Sequence, residues 1–190
     1  DILQAVNDVM EAPPALSESD VAAGLKEALV KGMGTGTATA SKLDGYFKNP
    51  RLKIPFPTEI TKVETKLRQL GMSGLVDDFI LSLNRGAEKA ATEANPIFVD
   101  AITSMTVEDA WGILRGEDDA ATNYLRRTTS TSLETAFKPV IKTSLDAVDA
   151  TKYFTKIVNT YNKIPLIEKV NPNLEDYATD KATVSYTHCT

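Results

Sequence analysis

Apolar side chains recur about once per helical turn along nearly the whole chain, and no sustained apolar–polar alternation of the kind a strand needs is present. Residues 1–10 place Ile2, Leu3, Val6, Val9 and Met10 at helical spacing before Pro13-Pro14 breaks the chain, which predicts an amphipathic arm over 1–14 docking on a neighbour. Ser17-Glu18-Ser19-Asp20 is a helix start, with Ser17 as cap and Asp20 reaching back. Val21, Leu25, Ala28 and Leu29 carry that helix to about Lys31. Residues 32–41, GMGTGTATAS, are small and Gly-rich and read as a flexible connection. Asn49-Pro50 to Pro57 reads as extended, because each proline fixes its own φ and pushes its predecessor out of the helical region.

Thr58 is expected to cap a helix with the stripe Ile60, Val63, Leu67 and Leu70, stopped by Gly71. Ser73 opens what reads as the longest unbroken helix, to about Asn95, with Leu75, Phe79, Leu83, Ala87 and Ala90 inward and Pro96 ending or kinking it. Ile97, Phe98, Ala101, Ile102 and Met105 continue the period. Thr106 to Asp109 is a second capped start, and Gly116 a stop. Asp118 or Asp119 caps a helix through Tyr124, Leu125, Leu133 and Phe137, which Pro139 restarts. A further helix covers about Ala150 to Asn162, a loop follows over 163–176, and one more helix starts near Tyr177 to Ala182. The pattern predicts an all-α, compact, single-domain bundle of about seven or eight helices, with a helical domain over 15–182 and a tail over 183–190.

Composition narrows what such a bundle could do. Lys and Arg number 21 against 26 Asp and Glu, a net charge of −5. No basic run gathers the cations that nucleic-acid binding requires, so a nucleic-acid partner is not expected. No stretch approaches the roughly 18 to 20 apolar residues of a membrane span. No signal peptide is recognised, and a chain opening at Asp1 is what removal of a leader or trimming leaves. Cys189 is the single cysteine, so an intramolecular disulfide is excluded.

His188 is the single histidine. That removes Ser-His-Asp and Cys-His catalysis and leaves no metal-ligand spacing. Catalysis by carboxylates, Lys or Tyr stays open, with Asp100, Glu108 and Glu88 as the carboxylates concerned. Residues 97–120 set six carboxylates against Arg115 alone, which reads as helix capping rather than a cation site. Asn84 and Glu88 stand one turn apart beside Arg85 and Gly86, and read as a buried polar network with another helix approaching closely at the glycine. Arg126-Arg127 follows Asp118-Asp119 by two turns and reads as pairing internally.

Ser17 to Leu29, Asn49-Pro50, Ile54 to Pro57, Leu70 to Met72 and Asn84-Arg85 together resemble the opening of the bacterial family catalogued as domain of unknown function 4197. The resemblance is densest from Pro96 to Ile102 and from Met105 to Ala110. It continues through Ile113-Leu114, Gly116 and Asp119 to Thr122, then Arg126 to Ser130, and ends at Asp176-Tyr177 and Lys181-Ala182. It covers about 17–182. It implies a helical fold and, since relatives usually carry a secretion signal, a periplasmic or extracellular place. It implies no activity, cofactor or catalytic residue. Relatives continue past the Lys-Ala pair into a long charged helix that Thr183 to Thr190 does not match; either the sequence is truncated or altered there, or this member has lost the helix, which would leave an apolar groove open.

The function expected is a non-enzymatic module holding an apolar or amphipathic small ligand between helices. The candidate ligand-binding set is Asn84, Glu88, Trp111, Tyr124, Arg126 and Arg127, with no catalytic residue, no metal ligand and no cofactor identified. The alternative is a structural or assembly subunit, self-associating or holding a protein partner through its arm or the open groove.

Overall fold

A computed structural model of the chain describes residues 16–58, 61–147, 150–163, 165, 169 and 173–187. The expected arm over 1–14, Ile60, Val148, His188 and Cys189 lie outside the described residues. The fold is all-α. Its helices are α1 (Glu18–Ala40), α2 (Thr61–Gln69), α3 (Ser73–Ala90), α4 (Ala94–Thr103), α5 (Val107–Leu114), α6 (Ala120–Asp146), α7 (Ala150–Tyr161) and α8 (Leu174–Thr187), with a 3-10 turn, Ala91–Glu93, between α3 and α4.

The capped starts form as their residues dictate. Ser17 Oγ accepts from Asp20 N at 3.1 Å and the Asp20 carboxylate accepts from Ser17 N at 3.1 Å. Thr106 and Asp109 make the same reciprocal pair ahead of α5. Gly71 stops α2 at φ +76°, the left-handed conformation that glycine adopts without a steric penalty. Val63 and Leu67 of α2 pack on the core, but Leu70 is exposed, because α2 ends at Gln69 and Leu70 already lies in the turn that Gly71 completes.

Further expectations are corrected. The Gly-rich residues 32–40 are not a connection; they are the second half of α1. Met33, Thr37 and Ala40 are buried there against α4 and the 3-10 turn, and this burial outweighs the glycine cost. The threonines turn their hydroxyls inward on the helix, with Thr35, Thr37 and Thr39 donating to the carbonyls four residues back. The helix from Ser73 stops at Ala90 rather than Asn95. Pro96 cannot donate to the Thr92 carbonyl, so the ladder tightens to 3-10 geometry and α4 restarts with Pro96 in its first turn. Pro139, by contrast, does not restart α6, which runs through it and is the longest helix.

Helix α6 is the axis of the molecule. Leu125, Thr129, Leu133, Phe137, Ile141 and Leu145 recur every four residues, all buried, and the helix packs against α3, α8, α4, α5 and α7. That continuous buried stripe holds α6 together across Pro139, whose own side is exposed. Against α3 the approach is close. A Cβ on Gly86 would sit 3.2 Å from Ser144 Cβ, and Ser82 Oγ donates to Ser144 O at 2.7 Å. Phe79 of α3 meets Phe56 edge-on at 5.4 Å and stacks on Phe154 of α7 at 6.0 Å. Helix α8 starts earlier than expected, where Asn173 Oδ1 accepts from Asp176 N. It is tied to α6 by Lys138–Asp176 and Lys142–Glu175, each 2.6 Å. Among the described residues there is no strand, and no helix is long and apolar enough to cross a membrane.

Candidate functional site

The six candidates separate into three places. Asn84 and Glu88 point from α3 into the irregular segment 42–58. Asn84 is fully buried, accepting from Ile54 N at 2.8 Å and donating to the carbonyls of Ile54 at 2.8 Å and Ile80 at 2.7 Å. Glu88 Oε1 accepts from Tyr46 N and Phe47 N, both at 3.1 Å, and Oε2 accepts from Arg85 Nη1 at 2.6 Å. Arg85 also donates to Asp44 at 2.7 Å, and Lys48 reaches the other Asp44 oxygen at 2.8 Å. Lys48 and then Arg85 hold the Asp44 carboxyl below the usual carboxylate range, and Glu88 and then Asp44 raise the Arg85 guanidinium. Asp44 has φ +67°, and a Cβ on Gly45 would meet Ala40 O at 2.3 Å, so the Asp-Gly pair makes the sharp exit from α1. This set clamps 42–58 onto α3.

Tyr124 belongs to a groove of about 360 Å³ between α4 and α6. Ile97, Asp100, Ala101 and Ser104 line one wall; Tyr124, Thr128 and Ser132, successive turns of α6, line the other. The Tyr124 hydroxyl donates to Ala101 O at 3.1 Å. Burial pushes its pKa up; the Asp109 charge adds to that and Arg127 opposes it. The Asp109 carboxyl lies below its usual range, first through the Thr106 hydroxyl and backbone N–H and then through the Arg127 and Lys26 charges. Arg127 stands 4.0 Å from Asp109 and 5.7 Å from the Tyr124 ring centre, while Arg126 is exposed.

Trp111 lies half-buried on α5, with its Nε1 buried and unpartnered and the Arg115 guanidinium 4.5 Å above its ring. The fold therefore brings Tyr124 and Arg127 together, and Asn84 with Glu88, but does not gather the six into one site. Ser104, Thr128 and Ser132 are the groove residues that sequence reasoning missed. Their signal was the four-residue spacing of Thr128 and Ser132 behind Tyr124. Of the carboxylates considered for catalysis, Asp100 lines the groove, Glu88 is ion-paired, and Glu108 is exposed on α5. Among the described residues, no three His, Cys, Asp or Glu side chains converge as metal ligands would.

A family model described as "Protein of unknown function (DUF4197)" matches residues 15–185. Comparison with curated proteins and with solved structures gave no match.

Proposed function

Starting from a chain that belongs to the DUF4197 family of proteins of unknown function, we propose that it is a non-enzymatic module holding an amphipathic small ligand in the α4–α6 groove. The observation that carries this reading is the lining. Ile97 and Ala101 offer apolar surface on one wall, which ends at Ser104, and the hydroxyl-bearing residues Tyr124, Thr128 and Ser132 follow one another along the other. The Tyr124 and Thr128 hydroxyls already donate to backbone carbonyls, but a wholly apolar ligand would still strip water from the exposed Ser104, Thr128 and Ser132 hydroxyls, so the lining favours a ligand with a polar head. Asp100 is the charged residue in the groove, which selects a neutral or cationic head over an anionic one. A volume of about 360 Å³ falls in the range of small-molecule sites. The resemblance to secreted relatives supports an extracytoplasmic compartment for this binding.

Titration of the isotope-labelled chain with hexylamine, hexanol and hexanoate, read by amide chemical shifts, tests the reading. Saturable shifts are expected around Ala101, Tyr124 and Thr128, strongest for the amine and abolished by Ser132→Phe, which fills the groove. Equal, non-saturable responses to all three compounds would reject it.

A further inference from the structure

The second surface lies on α5, away from the groove. The inner side of α5 is used up: Ala110 is fully buried with Met105 and Ala22, and Ile113, Leu25, Leu29 and Tyr124 pack around them. Val107, Trp111 and Leu114, at i, i+4 and i+7, lie within about 60° of one another on the remaining side. Val107 and Leu114 are 43% and 45% exposed, so this stripe faces water. At its centre the Trp111 indole N–H is buried without an acceptor, and Arg115 covers the ring. Trp and Arg at the middle of an apolar patch are the chemistry that interface hot spots favour.

The rim of this stripe decides the partner. Glu108, Glu117, Asp118 and Asp119 are exposed and have no ion-pair partner among the described residues. Asp109 has only Arg127, at 4.0 Å. An anionic bilayer would be repelled by such a rim. A second copy docked across a two-fold axis would set the carboxylates against one another. A helix with apolar residues on one side and Lys or Arg on the other satisfies both parts of the surface. We propose that the outer face of α5 docks a basic amphipathic helix of a protein partner, apolar stripe on Val107, Trp111 and Leu114, cations on Glu108, Glu117, Asp118 and Asp119.

Trp111 is the only tryptophan in the chain, so its emission reports the event directly. The chain over residues 1–190 is titrated with a helical Leu/Lys peptide, with a Leu/Glu peptide of the same apolar spacing, and with phosphatidylglycerol vesicles. The expected result is a saturable blue shift with the Leu/Lys peptide alone. Its affinity should weaken at least about fivefold as ionic strength rises from about 20 to about 300 mM. Leu114→Ser and Val107→Ser, both at exposed positions, should abolish the shift while leaving circular dichroism unchanged. Glu117→Lys with Asp118→Lys should reverse the peptide preference. Absence of a saturable shift, equal binding of both peptides, or a response to the vesicles instead would overturn the proposal. So would a shift that grows with protein concentration alone. The hexylamine titration reads α4–α6 amides, so the two proposals fail separately.

Discussion

Glu88 organises the loop after α1 with one side chain. Its two oxygens accept from two backbone N–H groups and from Arg85, while 4% of the residue remains exposed. Replacement by alanine leaves the Tyr46 and Phe47 amides without acceptors, and we expect Glu88→Ala to lower unfolding stability by about 2–4 kcal/mol. Arg85 is one-third exposed, so water can replace part of what it loses, and Arg85→Ala should cost less than Glu88→Ala. Urea unfolding of the two variants checks the order. Gly86→Ala should also destabilise, by about 1 kcal/mol net, because contact with Ser144 exceeds the gain in helix propensity. The Asn84–Glu88 pair was legible in the sequence as a polar island on an apolar helix. Its partners were not, because Ile54, Tyr46 and Phe47 are backbone contributors whose approach no side-chain pattern encodes.

At the scale of elements, the informative cases are those where local preference and packing conflict. In α1 the glycines are tolerated because Met33, Thr37 and Ala40 are held from outside. A Cβ at Gly36 would meet nothing within 4 Å, so Gly36→Ala is expected to raise stability by about 0.5–1 kcal/mol through helix propensity alone. No gain in the thermal midpoint would mean that this segment is not helical in solution. In α6, Pro139→Ala restores the donor that the Thr135 carbonyl lacks, and an increase of up to about 3 kcal/mol is expected in the same melts. Caps behaved differently. Ser17 with Asp20, and Thr106 with Asp109, were readable because both partners lie within one turn. Asp119 occupies the N-cap position of α6 but makes no side-chain cap, since its backbone at ψ 6° turns away from the extended form that capping needs.

For the molecule as a whole, charge sets the pH range of stability. Asp20, Asp44 and Asp109 are held below the usual carboxylate value, so they protonate more readily in the unfolded chain. Their stabilisation is complete above the unfolded pKa, near 4, and is lost as pH falls through the folded values. Lys138 and Lys142 are raised by Asp176 and Glu175. Their contribution is complete below the unfolded value, near 10, and is lost as pH climbs through the folded ones. Urea midpoints should therefore form a plateau from about pH 5 to 9 and fall on either side. A midpoint unchanged between about pH 5 and pH 3 would contradict the acid limb. The sequence alone determined that the chain is all-α, where two of its helices are capped, and that Asn84 and Glu88 form a polar network. These follow from contacts within a few residues, which a linear pattern records. Tertiary structure decided that residues 32–40 are helical, that α6 passes through Pro139, and that Tyr124 faces Asp100 across a groove. Each of these depends on surface buried between elements far apart in the chain, a term that no local preference contains.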